Sequence, residues 1–585
     1  MFYTKHKQIL KYIFAFLIFF IVVAYLTYPL IFHMGDLVTG YGDEFVIAWI
    51  QNWVIHSLTT NPLGIWNTNT YFPYLNSWAY SDLLITSSIF AIIPLHIIGQ
   101  PIATFNFTVI SSFILVGFSV FLLCYYLTKD FFASFFAGVL VIFCPALIQY
   151  NVHIQMLASE WIPLSILAFL VFIKKKQTRY LILSMFFFVF QSYNSLMPGY
   201  FLVFFYLVYV IYFWFKDRKT LILLLVKRNL AVICLAIIAI IPIVIPYYQV
   251  SHEFNYVRPL TDTIHFALQP EDFLYPNQYT RFEPYLLALS NMHHYHVISG
   301  EMKGGFLGLI FSILAIGVII YFIKNWKKSK PLFNIFMITG LLGLILSLGP
   351  FLHFNRVTIH HPFPIPLPYL IFYFIFPGFQ AFRDSERWEV LFILCAAIGI
   401  CLMLTSLLKR YDLRWRIVVY LVLTVAVILE FNSPIQYMSV TQKQQFPPFY
   451  TWLQNIPQNT SIIILPMYNW NMSGSSVEMR REYYSTIEFR PMANGYSGFS
   501  PPPWQDFISM LQKNFPNNQS LKQIQSLGIK DIVIDKDQYD NDYKNHLSTV
   551  NGSTVINKLL HYPSLRHVKS VGGYYIFQFI SGKNK

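Results

Sequence analysis

The chain has 585 residues, of which 56% are hydrophobic, 19% aromatic and only 12% charged, and its mean hydropathy is +0.50. Soluble domains carry about twice this share of charged residues, so the composition excludes a soluble globular protein and predicts a polytopic α-helical membrane protein. The formal net charge of +14 comes from short basic runs between apolar segments. This is the positive-inside pattern, not the basic surface of a nucleic-acid-binding protein.

Eleven apolar runs come close to the ~20 residues that a helix needs to cross ~30 Å of hydrocarbon. The basic runs between them indicate a cytoplasmic N-terminus, an uncleaved first span and a C-terminus outside. The predicted spans lie at about 12–31, 103–127, 131–149, 158–173, 179–197, 199–215, 228–248, 304–323, 332–352, 388–408 and 416–433.

Two further apolar segments, 83–99 and 362–379, are short and contain proline. If either segment were counted as a span, the basic runs that follow it would lie on the outer side of the membrane. We therefore expect interfacial or re-entrant elements on the outer face. For the second segment a true span stays open. The first outer loop then covers residues 32–102.

The composition changes near residue 435, where long apolar runs end and Asn, Gln, Ser and Pro become frequent. Short β-rich stretches at 462–465, 532–534 and 574–579 alternate with helical patterns. We therefore expect two domains, a membrane module over 1–434 and a small α/β domain over 435–585 on the outer face.

An acidic cluster follows the first span: Asp43 and Glu44 are adjacent, and Asp36 precedes them by seven residues. Three aromatic residues then recur at helical spacing, Phe45, Trp49 and Trp53. Tryptophan near a bilayer anchors a helix in the interface, so the pattern indicates a carboxylate held at the membrane surface. Such a carboxylate is a candidate general base, although an ordinary polar loop also explains the acids.

A pair of arginines, Arg383 and Arg387, precedes the predicted span at 388–408 on the outer side, against the positive-inside trend. Guanidinium groups bind phosphate through a planar fork of donors. The pair is therefore a candidate clamp for a lipid-linked phosphate. Pairing with Asp384 or Glu386, or general head-group contact, is the alternative.

Other polar loops add weaker candidates. Arg258 and Lys303 are further candidates for phosphate binding, while the nearby histidines read as polar surface in preference to a metal site. Asp82 is the next acid of the first outer loop. A very short outer loop carries His153, Gln155 and Glu160, which either line a cavity together with Asp82 or cap helices.

The order of these pieces resembles the GT-C glycosyltransferase superfamily and, within it, is similar to the YfhO-like and related bacterial membrane proteins. The pieces are GDEFVIAWIQNW (42–53), NPLGIWNTNTYFP (61–73), PEDFLYPN (270–277), LSLGPFL (346–352), LPYLIFYFIFPGFQAFRDSERW (367–388) and RPMANGYSGFSPP (490–502). Relatives often carry a spaced acidic pair, whereas the pair here is adjacent. A requirement for a divalent cation therefore stays open.

The resemblance implies an inverting transferase in the bacterial cytoplasmic membrane. Its donor would be a polyprenyl-phosphate sugar, and its acceptor a glycan, lipid or protein of the cell envelope. In the family a first-loop acid activates the acceptor, which maps to Asp43, with Glu44 and Asp36 as alternatives. Two other functions stay open: a transporter or flippase of lipid-linked glycans, which would place charges inside spans, and a non-catalytic envelope assembly factor.

Overall fold

The computed structural model describes residues 2–290, 304–354, 357–359, 363–431, 435–457 and 460–580. Within them the chain is mostly helical. The helices are α1 (Phe2–Leu26), α2 (Asp43–Thr60), α3 (Ile85–Ile98), α4 (Ile102–Thr128), α5 (Phe131–Ile142), α6 (Pro145–Ile148), α7 (Ile154–Leu157), α8 (Trp161–Lys175), α9 (Thr178–Asn194), α10 (Leu196–Lys216), α11 (Lys219–Leu225), α12 (Lys227–Glu253), α13 (Leu260–His265), α14 (Glu283–Ser290), α15 (Leu309–Asn325), α16 (Pro331–Ser347), α17 (Pro368–Ile375), α18 (Glu389–Leu408), α19 (Leu413–Glu430), α20 (Pro448–Leu453), α21 (Ser475–Ser485), α22 (Pro502–Asn514), α23 (Asn518–Ser526), α24 (Lys536–Lys544) and α25 (Gly552–Leu560).

The strands are few and short, and the largest sheet lies in the C-terminal segment. They are β1 (Leu37–Val38), β2 (His353–Phe354), β3 (Val357–Thr358), β4 (Met438–Ser439), β5 (Ile462–Leu465), β6 (Asp531–Asp535), β7 (Leu565–Val571) and β8 (Tyr574–Phe579). The four-stranded sheet has the order β5-β6-β8-β7, with a parallel β5–β6 pair and antiparallel neighbours elsewhere. The three strands expected from sequence in this segment are confirmed.

A helix occupies each of the eleven predicted spans. In the described part of the chain, six helices are long and apolar enough to cross a membrane, and a seventh span results if the pair bent by 52° between α5 and the segment 145–151 is counted as one. Helices α15 and α16 are apolar but have only 17 residues each. The protein is therefore a membrane protein, while the count of about eleven spans is only partly supported.

The two ambiguous segments form short helices. α3 has 14 residues with Pro94 inside it, and α17 has 8 residues. At 1.5 Å per residue, they extend about 21 Å and about 12 Å. Neither helix alone crosses ~30 Å of hydrocarbon, which agrees with the expectation that they do not form ordinary spans.

The chain divides into two compact units that do not follow its linear order. Unit one comprises Met1–Phe32, Thr108–Pro242 and Val257–Gln436; unit two comprises His33–Phe107, Ile243–Tyr256 and Tyr437–Lys585. The first outer loop therefore groups with the C-terminal segment, not with the apolar helices. The grouping of the first outer loop with the C-terminal segment could not be predicted from the sequence, because more than 300 residues separate them.

Unit two has two hydrophobic clusters, and the larger one is built by both parts of the chain. Tyr71 and Tyr80 of the first loop pack with Trp504 and the inner face of the sheet. The backbone is joined as well, since Tyr71 N donates to Asn494 O at 3.0 Å and Met492 N donates to Asn69 O at 2.7 Å. The first loop is thus an integral layer of the C-terminal fold.

Helix α2 corrects one expectation from sequence, that of an amphipathic helix lying on the bilayer. Thirteen of its 18 residues are buried, and α2 packs against α21 of the C-terminal segment. Trp49 is 3% exposed and its indole N–H donates to Asn69 Oδ1 at 3.0 Å, while the Trp53 ring meets Phe489. The tryptophan pattern reflects a protein core and not an interfacial anchor.

Candidate functional site

Glu44 closes a tight turn at the start of α2. Its Oε1 accepts a hydrogen bond from Thr39 Oγ1 and its Oε2 accepts one from Gly42 N, both at 3.0 Å. The side chain is 3% exposed. Burial raises the pKa of Glu44 and the charge of Asp43 adds to the effect, although the hydrogen bonds oppose it. Glu44 therefore holds the turn together from within.

Asp43 is the first residue of α2 and its side chain is half-buried. A carboxylate at a helix N-terminus is stabilised by the helix dipole. Because adjacent helical residues point about 100° apart, the Asp43 carboxylate faces away from that of Glu44. Of the two carboxylates, that of Asp43 is the more exposed.

Asp36, the third candidate acid, lies before this turn. Its Oδ2 is 3.1 Å from His33 Nδ1, and the two side chains are 40% and 49% exposed. The backbone around it is fixed, since Val440 N donates to Asp36 O at 2.8 Å. Asp36 is thus an exposed partner of a histidine.

The acidic cluster does not fit a divalent cation. Hard cations in proteins take several oxygen ligands directed at one point, but both Glu44 oxygens already accept hydrogen bonds inside the turn. In the part of the chain that the structure describes, no group of three or more His, Cys, Asp or Glu residues is arranged to hold a metal ion. No step of the chemistry below is therefore assigned to a metal.

The arginine pair lies in unit one and converges on a single carboxylate. Arg383 Nε donates to Asp384 Oδ1 at 2.8 Å, and an Arg387 Nη2–Asp384 Oδ2 ion pair measures 2.5 Å. Asp384 is 6% exposed. Burial would raise its pKa, but the charges of Arg387 and Arg383 outweigh burial and lower the pKa to about 2.

The three charges leave the cluster with a net charge of +1. The Arg383 guanidinium lies 4.6 Å from the centre of the Phe266 ring and its side chain is 36% exposed, whereas that of Arg387 is 17% exposed. Asp384 thus orients the two arginines. The pairing alternative considered from sequence, with Asp384 as the partner, is present.

Arg258 lies in the same neighbourhood of unit one. Its backbone N–H donates to Gln380 O at 3.3 Å, and its carbonyl accepts from Tyr373 Oη at 2.7 Å. The guanidinium is 4.0 Å from an oxygen of Asp262. The structure therefore brings the segments of Arg258 and Arg383 together. The fourth basic candidate, Lys303, lies outside the described residues, as do the nearby histidines.

The proposed cavity residues do not fall in one unit. Asp82 belongs to unit two, where it lies before α3 and close to Tyr247. His153, Gln155 and Glu160 belong to unit one. Gln155 and Glu160 are 7% and 6% exposed, and each has one oxygen without a hydrogen-bond partner in the described structure. His153 lies near Asp384.

A buried glutamate that the sequence reading missed fixes the helix after the arginines. Glu389, the first residue of α18, is 0% exposed; it accepts hydrogen bonds from Tyr150 Oη at 3.0 Å and from Gly305 N at 2.7 Å. Gly305 has φ +106°, and a Cβ there would lie 2.9 Å from Asp272. The only signal was a lone acid at the start of an apolar run.

A second missed carboxylate, Glu430, caps another helix. It accepts hydrogen bonds from the backbone N–H groups of Leu309 and Ile310, the first residues of α15, and from Thr280 Oγ1. The first N–H groups of a helix lack intrahelical partners, so a carboxylate from α19 serves as their cap. Because Glu430 lies at the end of a predicted span, the sequence did not indicate this capping role.

Comparison with known proteins gives distant structural neighbours only. No protein-family model matches the chain, and no curated protein matches it. The oligosaccharyltransferase of Archaeoglobus fulgidus in the apo form is similar at 12% identity and a TM-score of 0.47, over 98% of this chain and 75% of that one. ArnT from Cupriavidus metallidurans, bound to undecaprenyl phosphate, gives 11% identity and 0.44, over 99% and 98%.

A third neighbour is the arabinofuranosyltransferase AftD from Mycobacteria, at 12% identity and a TM-score of 0.43, over 92% of this chain and 41% of that chain. With every TM-score below 0.5, these likenesses do not establish a family for this chain. The closer similarity to YfhO-like proteins stays a prediction from sequence.

Proposed function

We propose that this chain is an integral-membrane glycosyltransferase. It transfers a sugar from a polyprenyl-phosphate donor to an acceptor of the cell envelope, on the outer face of the bacterial cytoplasmic membrane. The observation that carries the proposal is the contrast between two adjacent acids, a buried Glu44 that fixes the turn and a half-buried Asp43 presented by it.

Asp43 acts as the general base. Its carboxylate accepts the proton of an acceptor hydroxyl, whose oxygen then attacks the anomeric carbon of the sugar. The bond from that carbon to the phosphate oxygen breaks, and the polyprenyl phosphate leaves with one more negative charge. Attack opposite the leaving group inverts the anomeric configuration.

The arginines Arg383 and Arg387 bind the donor phosphate and stabilise the charge that develops on it. Charge-assisted bonds from guanidinium to phosphate are stronger than neutral ones. Asp384 orients both side chains through the two contacts described above. Arg258 adds a further positive charge from the segment joined to Gln380.

A transporter would carry charged residues in the middle of its spans. In the described helices the buried acids of unit one lie at helix ends instead: Glu160 precedes α8, Glu389 begins α18 and Glu430 ends α19. Two of them have defined capping or anchoring contacts. These positions favour the transferase over the flippase alternative.

The decisive experiment is a transfer assay on the full-length protein reconstituted in liposomes. Radiolabelled undecaprenyl-phosphate hexoses serve as donors and a cell-envelope fraction as acceptor. We expect Asp43→Asn to lower the rate at least 100-fold, the range that loss of a general base gives. Transfer at the wild-type rate by this variant would show that Asp43 is not the base.

Asp36→Asn is the matched control, because Asp36 is an exposed acid of the same loop. We expect it to keep the wild-type rate. The arginines are tested in the same assay: Arg383→Gln should lower kcat/KM for the donor about tenfold, with a fall in kcat because the guanidinium stabilises the charge that develops on the phosphate. No transfer by the wild-type protein with any hexose would contradict the transferase assignment itself.

A further inference from the structure

A pocket outside the proposed catalytic machinery lies where α8, α9 and α12 meet in unit one. Its volume is about 460 Å³, and it is lined by Lys176, Gln177, Thr178, Arg179 and Arg228. The depression is shallow and open to the surface, so it does not enclose a ligand. The lining combines the turn between α8 and α9 with the first turn of α12, two segments about 50 residues apart in sequence.

A buried hydrogen bond fixes these two segments together. Thr178 Oγ1 donates to Asn229 Oδ1 at 2.7 Å, and Asn229 Nδ2 donates to Leu223 O at 2.8 Å. Thr178 and Asn229 are 7% and 2% exposed. The neighbouring Arg179 and Arg228 are consequently held on the same pocket wall, although they belong to different helices.

The positive charge of the pocket is uncompensated. Segments 174–180 and 218–230 contain eight Lys and Arg residues and no Asp or Glu. Within the described residues, none of the three basic lining side chains forms an ion pair with a carboxylate; Arg179 donates only to the neutral hydroxyl of Tyr180, at 3.3 Å. The first turn of α9 adds backbone N–H groups, which also favour an anion.

Exposed apolar side chains lie within five residues of the lining residues along the chain. They are Ile182 (54%) and Leu183 (42%) of α9, Leu225 (69%) at the end of α11, and Leu230 (46%) of α12. A soluble anion would use the charges but leave this apolar surface uncovered. A phospholipid has both an anionic head and acyl chains, and therefore matches both features.

We propose that this pocket is a binding site for one anionic phospholipid. The phosphate of the lipid head binds to Arg179 and Arg228, and the acyl chains lie along the exposed faces of α9 and α12. Both basic segments are ones that we expect on the cytoplasmic side, opposite the proposed transfer reaction. The site is independent of that reaction and does not depend on the transferase assignment.

The test is native mass spectrometry of the full-length protein in detergent, titrated with phosphatidylglycerol or with phosphatidylcholine. We expect one phosphatidylglycerol to bind well before further lipids do, and phosphatidylcholine to bind at least tenfold more weakly. In the double variant Arg179→Gln/Arg228→Gln, the affinity for the first phosphatidylglycerol should fall at least tenfold, since each basic group near a lipid surface contributes appreciably.

The matched control is Lys327→Gln/Lys328→Gln, which removes the same charge from an exposed basic loop outside the pocket. Unchanged binding of the first lipid in this control supports a specific pocket, whereas an equal loss would show general electrostatic attraction and overturn the proposal. Inorganic pyrophosphate distinguishes the source of the phosphate. Binding of pyrophosphate with the affinity of phosphatidylglycerol would also overturn the assignment to a lipid.

Discussion

The Phe45 ring lies 4.9 Å from the Tyr483 ring, so the helix that begins with Asp43 is packed directly on a helix of the C-terminal segment. Phe45 is 3% exposed and Tyr483 is 1% exposed. The position of the proposed base therefore depends on residues more than 400 positions later. The C-terminal segment is therefore not a separate appended domain, because it packs against the first outer loop and supports it.

Replacement of Phe45 by alanine should destabilise unit two by about 3–5 kcal/mol, because it removes a buried ring that also stacks on Tyr41. Thermal unfolding of the full-length protein in detergent, followed by limited proteolysis, measures this loss. Phe90→Ala is the control, since Phe90 of the same unit is 44% exposed. An equal effect of both substitutions would contradict the core role of Phe45.

The variant Glu44→Gln should distinguish a role of Glu44 in stabilising the turn from a role in catalysis. The amide keeps one acceptor oxygen, but its NH₂ group then faces a donor, either Thr39 Oγ1 or Gly42 N, so we expect a loss of about 1–3 kcal/mol. Transfer should fall because Asp43 shifts, while the pH dependence of kcat/KM should keep its shape. A changed pH profile would instead make Glu44 the titrating base.

Helix α2 could be predicted only in part from the sequence. A helix carrying Phe45, Trp49 and Trp53 after an acid was predicted from local periodicity, and the structure has a helix there that begins at Asp43. The face that its tryptophans bury could not be predicted, because tryptophans at helical spacing serve equally in a membrane interface and in a protein core. Only the fold, which returns residues 437–580 to the first loop, distinguishes the two.

Asp384 should make unit one sensitive to acid. Its pKa of about 2 lies below the ordinary value of 3.8, so the ionised form stabilises the fold by about 2 kcal/mol above pH ~4. This contribution is lost as the pH falls through about 2. Thermal unfolding between pH 5 and pH 2 should show wild type and Asp384→Asn converging as the pH falls.

Asp36→Asn is the control for that series, because Asp36 is exposed and belongs to unit two, so its loss should not change the unfolding of unit one. At neutral pH, Asp384→Asn should cost about 3 kcal/mol, since it leaves two arginines facing each other without their carboxylate. A constant difference between wild type and Asp384→Asn over the whole range would mean that folding does not lower the pKa of Asp384.

Arg481 should be essential to the fold of unit two. It is 2% exposed, and Nη1 donates to Glu478 Oε1 at 2.9 Å while Nη2 donates to Asp535 Oδ2 at 3.3 Å. Arg481→Met leaves two buried acids without their partner and should cost about 3–5 kcal/mol. Arg481→Lys should rescue only part of this, since an ammonium group lacks the guanidinium fork.

The matched control for Arg481 is its neighbour Arg480, which is only half-buried. Arg480→Met should change stability by less than about 0.5 kcal/mol. The measurement is the midpoint of thermal unfolding, read by protection of unit two against protease. Equal midpoints for Arg481→Met and Arg480→Met would show that the buried ion pairs contribute nothing net.

The candidate site was harder to predict from the sequence than the helices were. Asp43 and Arg383 stood out because a charge in an apolar chain is conspicuous. Glu44 and Asp384 bind partners within five residues, whereas the role of Glu389 depends on a hydrogen bond to Tyr150, which lies 239 positions away and is brought close by folding. Spacing along the chain holds no information about such contacts.

The last prediction concerns the C-terminal segment alone. Residues 437–585 lack Tyr71 and Tyr80, which complete the core around Trp504, and they lack the backbone of 69–72 that pairs with 492–494. Expressed without the first loop, the segment should bind a hydrophobic dye and lose the near-ultraviolet circular dichroism of a packed core.

A fusion of residues 33–107 to 437–585 through a flexible linker should restore packing, because it returns most of the missing core. The matched control carries Tyr71→Ala and Tyr80→Ala in the fusion and should behave like the isolated segment, since each ring lost from a core costs several kcal/mol. A cooperative unfolding transition of the isolated segment, equal to that of the fusion, would mean that the C-terminal segment folds independently and that the first loop only rests on it.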